Sequence, residues 1–252
     1  MKKLLRTLQV NFPYLLNKKF TLMRFFRNRL EIPFEEDFHA LSFFPDVEGA
    51  LFLDVGANRG QSTDAILMKR KNIRIYLFEP NELLCENLKN LFCNNEKIFI
   101  NNFGLGDETV EQFLFVPFYK KWMFDGLASF DEQKARNWLK GKLFFYRDQF
   151  LTVHKVISQI RRLDELNLDP FLIKLDLQGY EYNALKGGEQ TIIKYEPVLL
   201  IESPEQIIIN YLKAFGYQLY AFREGKFIPG IKGKINTFFM TQQKWSLLKN
   251  AT

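Results

Sequence analysis

The stretch LFLDVGANRGQST, Leu51 to Thr63, decides the fold. Its first five residues are apolar apart from Asp54, and the run is cut short by glycine, as in a strand buried on both faces. Gly56 and Gly60 follow with Ala57 between them. Glycine reaches positive φ at no steric cost and lets another group lie against bare backbone. From Gly60 the pattern GQSTDAILMKRK is helical, and the first N–H groups of such a helix point unpaired toward the strand end. The spacing Gly56-x-x-x-Gly60 lacks the third glycine of a dinucleotide-binding turn.

Strands and helices alternate from there. IRIYLFEP (73–80) is a second strand, stopped by proline and ending on Glu79. An acid at that position lies beside the first turn and can accept hydrogen bonds from both ribose hydroxyls of an adenosine-type ligand. NELLCENLKNLF (81–92) repeats leucine at helical spacing, and KIFINNFGLGD (97–107) reads as a third strand. EQFLFVPF (111–118) either extends the sheet or pairs as a hairpin, ahead of a polar insertion over 119–150. FLIKLDLQG (171–179) and PVLLIES (197–203) are the fourth and fifth strands. Between them YEYNALKGGEQTIIKY is a helix with a break expected at Gly187–Gly188, and PEQIIINYLKAFG (204–216) ends on a C-cap glycine. YQLYAFREGKFI (217–228) and INTFFMTQ (235–242) follow without a helix between them, hence antiparallel. The whole reads as a doubly wound, mostly parallel sheet between helices.

Period-two alternation puts Lys174, Asp176 and Gln178 on one side of the fourth strand, at the carboxyl edge where such sheets place reacting groups. Burying lysine and aspartate is expensive, so they pair with each other or meet a ligand.

Composition narrows the class. The 252 residues are 47% hydrophobic and 25% charged, enough for one large domain and far from disorder. Cys85 and Cys93 form no metal-ligand spacing or disulfide framework, which points to a reducing compartment, and two histidines exclude a histidine-rich metal site. Residues 1–30 hold eight Lys and Arg and no acid, so with a total of +6 the remainder carries −2. The basic character is one arm on a near-neutral body, and nucleic acid is not the expected partner. Leu4, Leu5, Leu8 and Val10, then Phe20, Met23, Phe25 and Phe26, suggest two amphipathic helices split near Pro13, with a third over FEEDFHALSFF (34–44). We assign 1–48 to this helical arm and 49–252 to the α/β domain. No stretch approaches the ~20 apolar residues of a membrane span, and no secretory cleavage site is seen, so a cytoplasmic protein is expected.

DVGANRGQS, FEPN, GLGD, Ser129–Phe130, RLDEL, IKLDLQGYEYNALKGG and PVLLIES occur in the order seen in FkbM-family methyltransferases, and over roughly 34–242 the chain resembles that family. The resemblance implies a class I methyltransferase (Rossmann-like) fold, here expected as a seven-stranded sheet with a terminal antiparallel hairpin. It implies S-adenosyl-L-methionine as cofactor and O-methyl transfer, often to a sugar or natural-product hydroxyl. By position, Asp54, Gly56, Asn58 and Gly60 would surround the methionine end of the cofactor, Glu79 the ribose, and Asn102, Phe103 and Gly104 the adenine. Asp176 would face the methyl group. The family usually shows Asp-x-Glu-Gly where this chain has Asp176-Leu177-Gln178-Gly179, and glutamine can be neither a base nor a charged metal ligand.

Asp176 is the first candidate for a general base, with Lys174 beside it, Glu202 and Glu181 next, and His154 a rival. A metal held by Asp176, Glu181 and Glu202 is the weaker idea, and no metal site is assigned. The expected acceptor is a sugar, glycan or lipid-linked glycan, and the basic arm suggests contact with an anionic membrane face through residues 1–30. Two other classes stay open: a non-catalytic cofactor-binding module, and a nucleotide-cofactor oxidoreductase.

Overall fold

The computed structural model describes Lys3, Thr7, Val10 and residues 13–248. The first expected amphipathic helix therefore lies largely outside the described residues. The strands are β1 Leu51–Val55, β2 Arg74–Phe78, β3 Ile98–Asn101, β4 Gly104–Leu105, β5 Val110–Tyr119, β6 Trp122–Met123, β7 Leu151–Arg161, β8 Pro170–Leu175, β9 Val198–Glu202, β10 Gln218–Arg223, β11 Lys226–Pro229 and β12 Asn236–Met240. The α-helices are α1 Pro13–Leu30, α2 Gln61–Lys69, α3 Glu82–Leu91, α4 Glu132–Asn137, α5 Glu181–Gly187, α6 Glu189–Tyr195, α7 Gln206–Ala214 and α8 Gln242–Ser246.

The main sheet runs β11-β10-β12-β9-β8-β1-β2-β3. Pairs from β3 through β9 are parallel, and β12, β10 and β11 are joined antiparallel. The sheet therefore has eight strands, not the expected seven. The extra one arises because YQLYAFREGKFI folds back on itself: Glu224 and Gly225, both at positive φ, make a tight turn that separates β10 from β11. The terminal antiparallel unit is three strands rather than a hairpin.

Alternation along the central strands builds two cores. Leu51, Leu53 and Val55 pack with Ile173, Leu175 and Leu199 against Ala184, Leu185, Ile192 and Leu212 of α5, α6 and α7. Phe52, Leu172, Val198 and Leu200 face the other way, onto Ala65 and Ile66 of α2 and Leu88 of α3. Truncating a fully buried member such as Leu53 or Leu200 to alanine should cost about 2–5 kcal/mol. FEEDFHALSFF forms a 3-10 helix, Glu36–Phe43, rather than an α-helix. Its Phe38 and Leu41 are fully buried in the second core, so this part of residues 1–48 packs into the body.

KIFINNFGLGD divides into β3 and β4, and β4 leaves the main sheet for a second one ordered β4-β7-β5-β6. EQFLFVPF does not extend the main sheet; β5 pairs along its whole length with β7 and forms a hairpin with β6. The segment 119–150 and the second sheet share a small core of Val10, Tyr119, Trp122, Phe124, Leu139 and Leu143. The helix after β8 breaks into α5 and α6 at Gly188, as the paired glycines suggested. Among the described residues no helix is long and apolar enough to cross a membrane.

Candidate active site

Four central strands, β1, β2, β8 and β9, end at one cavity of about 340 Å³, and three of them are followed by a turn that the backbone makes at positive φ. Gly56, after β1, has φ 82°, and a Cβ there would meet the carbonyl oxygen of Asp176 at 2.0 Å. Only bare backbone lets β1 and β8 approach so closely. Asn58, Gln178 and Ser203, just beyond β1, β8 and β9, all have positive φ although none is glycine. Such outliers concentrate where a fold holds groups for a purpose.

The β1–β2 side is braced by carboxylates that accept from the chain itself. Glu79 accepts the backbone N–H of Asn58 at 2.9 Å on one oxygen and that of Asn81 at 2.9 Å on the other. Burial pushes its carboxyl up to about 7, against the opposing pull of those two N–H groups. Each oxygen keeps lone-pair capacity for a further donor. Asp54, fully buried, accepts the hydroxyls of Ser62 and Thr63 on Oδ2, both at 2.6 Å. Among the described residues its Oδ1 has no hydrogen-bond partner, and it lies 3.8 Å from the Lys174 ammonium. A hydroxyl pair from the first turn of α2 thus anchors that helix to the strand it follows.

The β8–β9 side is a cluster of side chains. The Lys174 ammonium sits 3.3 Å from Asp176 Oδ2. Its burial works to lower its pKa, and the Asp176 and Asp54 carboxylates more than offset this, so the group stays charged. Asp176 is raised by burial but lowered further by Lys174 and by hydrogen bonds from Glu202 and Gln178, ending below the ordinary carboxylate range. Glu202 goes the other way: the hydrogen bond it shares with Asp176, together with burial, pushes it up to about 8. The pair therefore holds a single proton at neutral pH, with Asp176 ionised and Glu202 protonated. The Gln178 amide donates to Asp176 Oδ1 at 2.8 Å and reaches Glu202 Oε2 at 3.5 Å. Where the family's usual glutamate would add a third carboxyl and a second negative charge, this chain has a donor that serves both.

Glu181 does not join this cluster. Its carboxylate accepts the backbone N–H of Leu177 and Gly179, fixing the turn after β8. His154 lies on β7 in the second sheet, stacked on Phe118 at 4.4 Å, and does not line the cavity. Among the described residues no group of three His, Cys, Asp or Glu is arranged to hold a metal. Asn102, Phe103 and Gly104 do not line the cavity either. Asn102 donates to the Glu79 carbonyl at 3.0 Å, Phe103 packs on Phe78, and Gly104 is buried in β4.

Several residues at the cavity had no signal strong enough to single them out. Glu35 lines it, raised by burial and held by the Asn236 amide at 2.6 Å, with Asp37 accepting from the same asparagine. Asp125 pairs with Arg59, and the loop from Asp125 to Phe130 forms the opposite wall. Backbone hydrogen bonds between Phe115 and Ser129 hang that loop on the second sheet. An acid pair inside an aromatic run, FEEDF, was the one visible hint of the first group.

The cavity at the carboxyl edge of a parallel sheet, its braced glycine turn and the acid ending β2 agree with the family match. A model of the methyltransferase FkbM domain matches residues 54–219. The chain belongs to the FkbM methyltransferase family. This FkbM domain is accordingly a methyltransferase domain. Among solved structures it is similar to the FkbM methyltransferase of Methylobacillus flagellatus, at 17% identity and a TM-score of 0.49, over 76% of this chain and 43% of that one. It thus spans less than half of that protein's length. An rRNA methylase from Streptococcus thermophilus is 11% identical with a TM-score of 0.42, over 83% of this chain and 96% of that one. A precorrin-6y C5,15-methyltransferase from Geobacter metallireducens is 10% identical with a TM-score of 0.39, over 80% and 83%. No curated protein matches the chain.

Proposed function

We propose that this FkbM domain moves a methyl group from S-adenosyl-L-methionine to a hydroxyl oxygen of a sugar or glycan acceptor. The observation that carries the reading is the convergence, on one cavity, of the Glu79-braced turn and the one-proton pair Asp176–Glu202. The residues present suit the cofactor. Gly56 leaves bare backbone beside the Asp176 carbonyl, Glu79 keeps acceptor capacity for two ribose hydroxyls, and the buried Asp54 has one oxygen without a hydrogen bond. Gly56 and Asn58 line the cavity and would hold its methionine end, on a turn that Asp54 and Gly60, which do not line it, help to shape. When bound, it supplies a methyl group already activated by a sulfonium, so that an O–C bond can form as the S–C bond breaks.

The chain's own groups supply the rest. Ionised Asp176 accepts the proton that the acceptor hydroxyl gives up, which general-base catalysis makes worth about 10²–10⁴ in rate. Lys174 holds that carboxylate charged and in place, and Gln178 fixes its second oxygen. The cavity walls are richer in carboxyl groups, Glu35, Glu79, Asp125, Asp176 and Glu202, than in cations, Arg59 and Lys174. That surface can hydrogen-bond a neutral polyol and repels a phosphodiester backbone, which favours a glycan over a nucleic acid. Its acid excess also suits a cationic sulfonium.

The test is calorimetry with S-adenosyl-L-methionine and its demethylated product, followed by transfer of a labelled methyl group to a panel of glycans and glycolipids. Micromolar binding and base-stable label in a sugar ether support the reading. Absence of binding to both compounds rejects it, and label recovered in a nitrogen-linked or RNA product moves the acceptor elsewhere.

A further inference from the structure

Two segments far apart in the chain expose aromatic and aliphatic side chains beside cations, and contacts from Lys3, Thr7 and Val10 tie the approach to the first onto the second. The first is α1. At about 100° per residue, Leu22, Phe25, Phe26, Arg29 and Leu30 fall within one arc, opposite Arg24 and Arg27. The inner side docks by a bidentate pair of Arg24 with Asp64 of α2, at 2.5 and 2.7 Å, and by the Arg24 guanidinium over the Phe92 ring. The outer side is left bare: Phe25 and Leu30 are each 63% exposed. Among the described residues no carboxylate pairs with Lys19, Arg27 or Arg29. The second segment is the tip of the 119–150 insertion, where Phe145 is 91% exposed at a positive φ, next to Phe144, with Lys142 over the Trp138 ring.

The start of the chain links the two. Phe144 donates its backbone N–H to the Thr7 hydroxyl at 2.9 Å, the Lys3 ammonium lies 4.9 Å over the Phe144 ring, and Val10 is buried against the insertion's core. A few residues later α1 begins. A cavity of about 980 Å³ beside α1, lined by Phe25 and Arg29 as well as Arg24, shares Phe34, Arg59 and Gln61 with the lining of the reaction cavity, so α1 lies next to that cavity.

We infer that α1 and the Trp138–Phe145 tip together form a surface that docks on an anionic lipid bilayer, with the aromatic and leucine side chains entering the interface and the cations meeting headgroups. The complement of charge names the occupant. A helix with bare Phe and Leu on one face and Lys and Arg without acid beside them matches an interfacial helix. A second copy of the same surface would set cation against cation. Leu22 and Leu30 add aliphatic surface that stacking on bases does not use and an acyl interface does, which favours a bilayer over a single-stranded nucleic acid. The contact stands without the proposed methyl transfer, because lipid binding and turnover are measured separately. If both hold, the acceptor hydroxyl is one carried at the membrane.

The experiment is flotation of the full chain with vesicles of phosphatidylcholine alone or with about one third phosphatidylglycerol, at low and high salt. The expected result is retention on the anionic vesicles, at least tenfold weaker on phosphatidylcholine and weakened by salt. Phe25→Ser with Phe26→Ser, and separately Phe144→Ser with Phe145→Ser, should each weaken retention about tenfold while the melting temperature holds. Lys19→Glu with Arg29→Glu should do the same at low salt. Failure of the wild-type chain to float with anionic vesicles overturns the inference, as does unchanged retention in either phenylalanine pair. Self-association that the serine variants abolish, or an RNA shift at matching affinity, in a chain that ignores vesicles would assign the surface to another partner and overturn it equally.

Discussion

The two halves of the reaction cavity are built by different means. On the β1–β2 side the acids face backbone and hydroxyl donors: Glu79 accepts two main-chain N–H groups, and Asp54 accepts two hydroxyls eight and nine positions along the chain. On the β8–β9 side the acids face other side chains, Lys174, Gln178 and one another. The first half is a scaffold that local chain geometry fixes, and the second a titrating cluster whose charge each member sets for its neighbours. Changes in the first should therefore harm folding and cofactor binding together, and changes in the second should act mainly on turnover and its pH profile, with only a small cost in stability.

Gly56→Ala is the most severe break on the first side. A Cβ would come within 2.0 Å of the Asp176 carbonyl, a backbone group that cannot swing away, at a φ that alanine disfavours. The expected loss exceeds about 2 kcal/mol of stability, read by thermal melting, together with measurable cofactor binding. Next in size is Asp176→Asn, for which turnover should fall about 10²–10⁴-fold with cofactor affinity within a few-fold of wild type. Glu202→Gln is the sharper partner to it. An amide can still donate to Asp176, so turnover should survive, but the limb of its pH profile near 8 should vanish. If Glu202→Gln is as damaging as Asp176→Asn, the proton rests on the other member of the pair.

The same division explains what could be read in advance. The turn after β1, Glu79 at the end of β2 and the alternation of Lys174, Asp176 and Gln178 are written in spacings of a few residues. Asn236 meets Asp37 across 199 positions, and Arg59 meets Asp125 across 66, so neither pairing has a local signature. β7 was legible in principle. LTVHKVISQIR alternates and is rich in β-branched residues, but it lies next to the polar insertion and its half-exposed pattern is that of a separate sheet. With it went the recognition that β5 belongs to that sheet, and that the second sheet carries the Asp125–Phe130 wall.

The pH dependence of cofactor binding probes the first half directly. Glu79 is raised to about 7 from an ordinary value near 4.5, so the folded state binds its proton more tightly than the unfolded state. Its contribution to stability is full below the ordinary value and is lost as pH rises through about 7. Binding runs the opposite way if ribose hydroxyls donate to the ionised group. Between pH 6 and 8 the affinity should then rise about tenfold, and Glu79→Gln should flatten and weaken the curve. Measuring this in the Glu202→Gln background keeps the group that titrates near 8 out of the reading. A slope that persists in Glu79→Gln would put the titration elsewhere.

The smallest effect tests the residue in which this chain departs from its family. Gln178 donates to Asp176 and reaches Glu202, so it steadies two acids without adding charge. Gln178→Glu removes a donor to an ionised oxygen and places a third carboxyl beside the pair. The expected cost at pH 8 is about 1 kcal/mol, or roughly 2–4 °C in melting temperature for a chain of this size. Its sign with pH follows from the crowding of like charges, which raises the folded pKa of the new acid. The penalty should shrink as pH falls toward 5 and the cluster regains protons, and it should grow as pH rises through about 8. Turnover should fall with it, because Asp176 loses the donor that holds it ionised and becomes harder to keep as a base. A Gln178→Glu protein with the melting temperature, rate and pH profile of wild type would mean that the amide contributes nothing to the pair. The contrast between the backbone-braced half and the side-chain half would then rest on Lys174 and on the bond between the two acids.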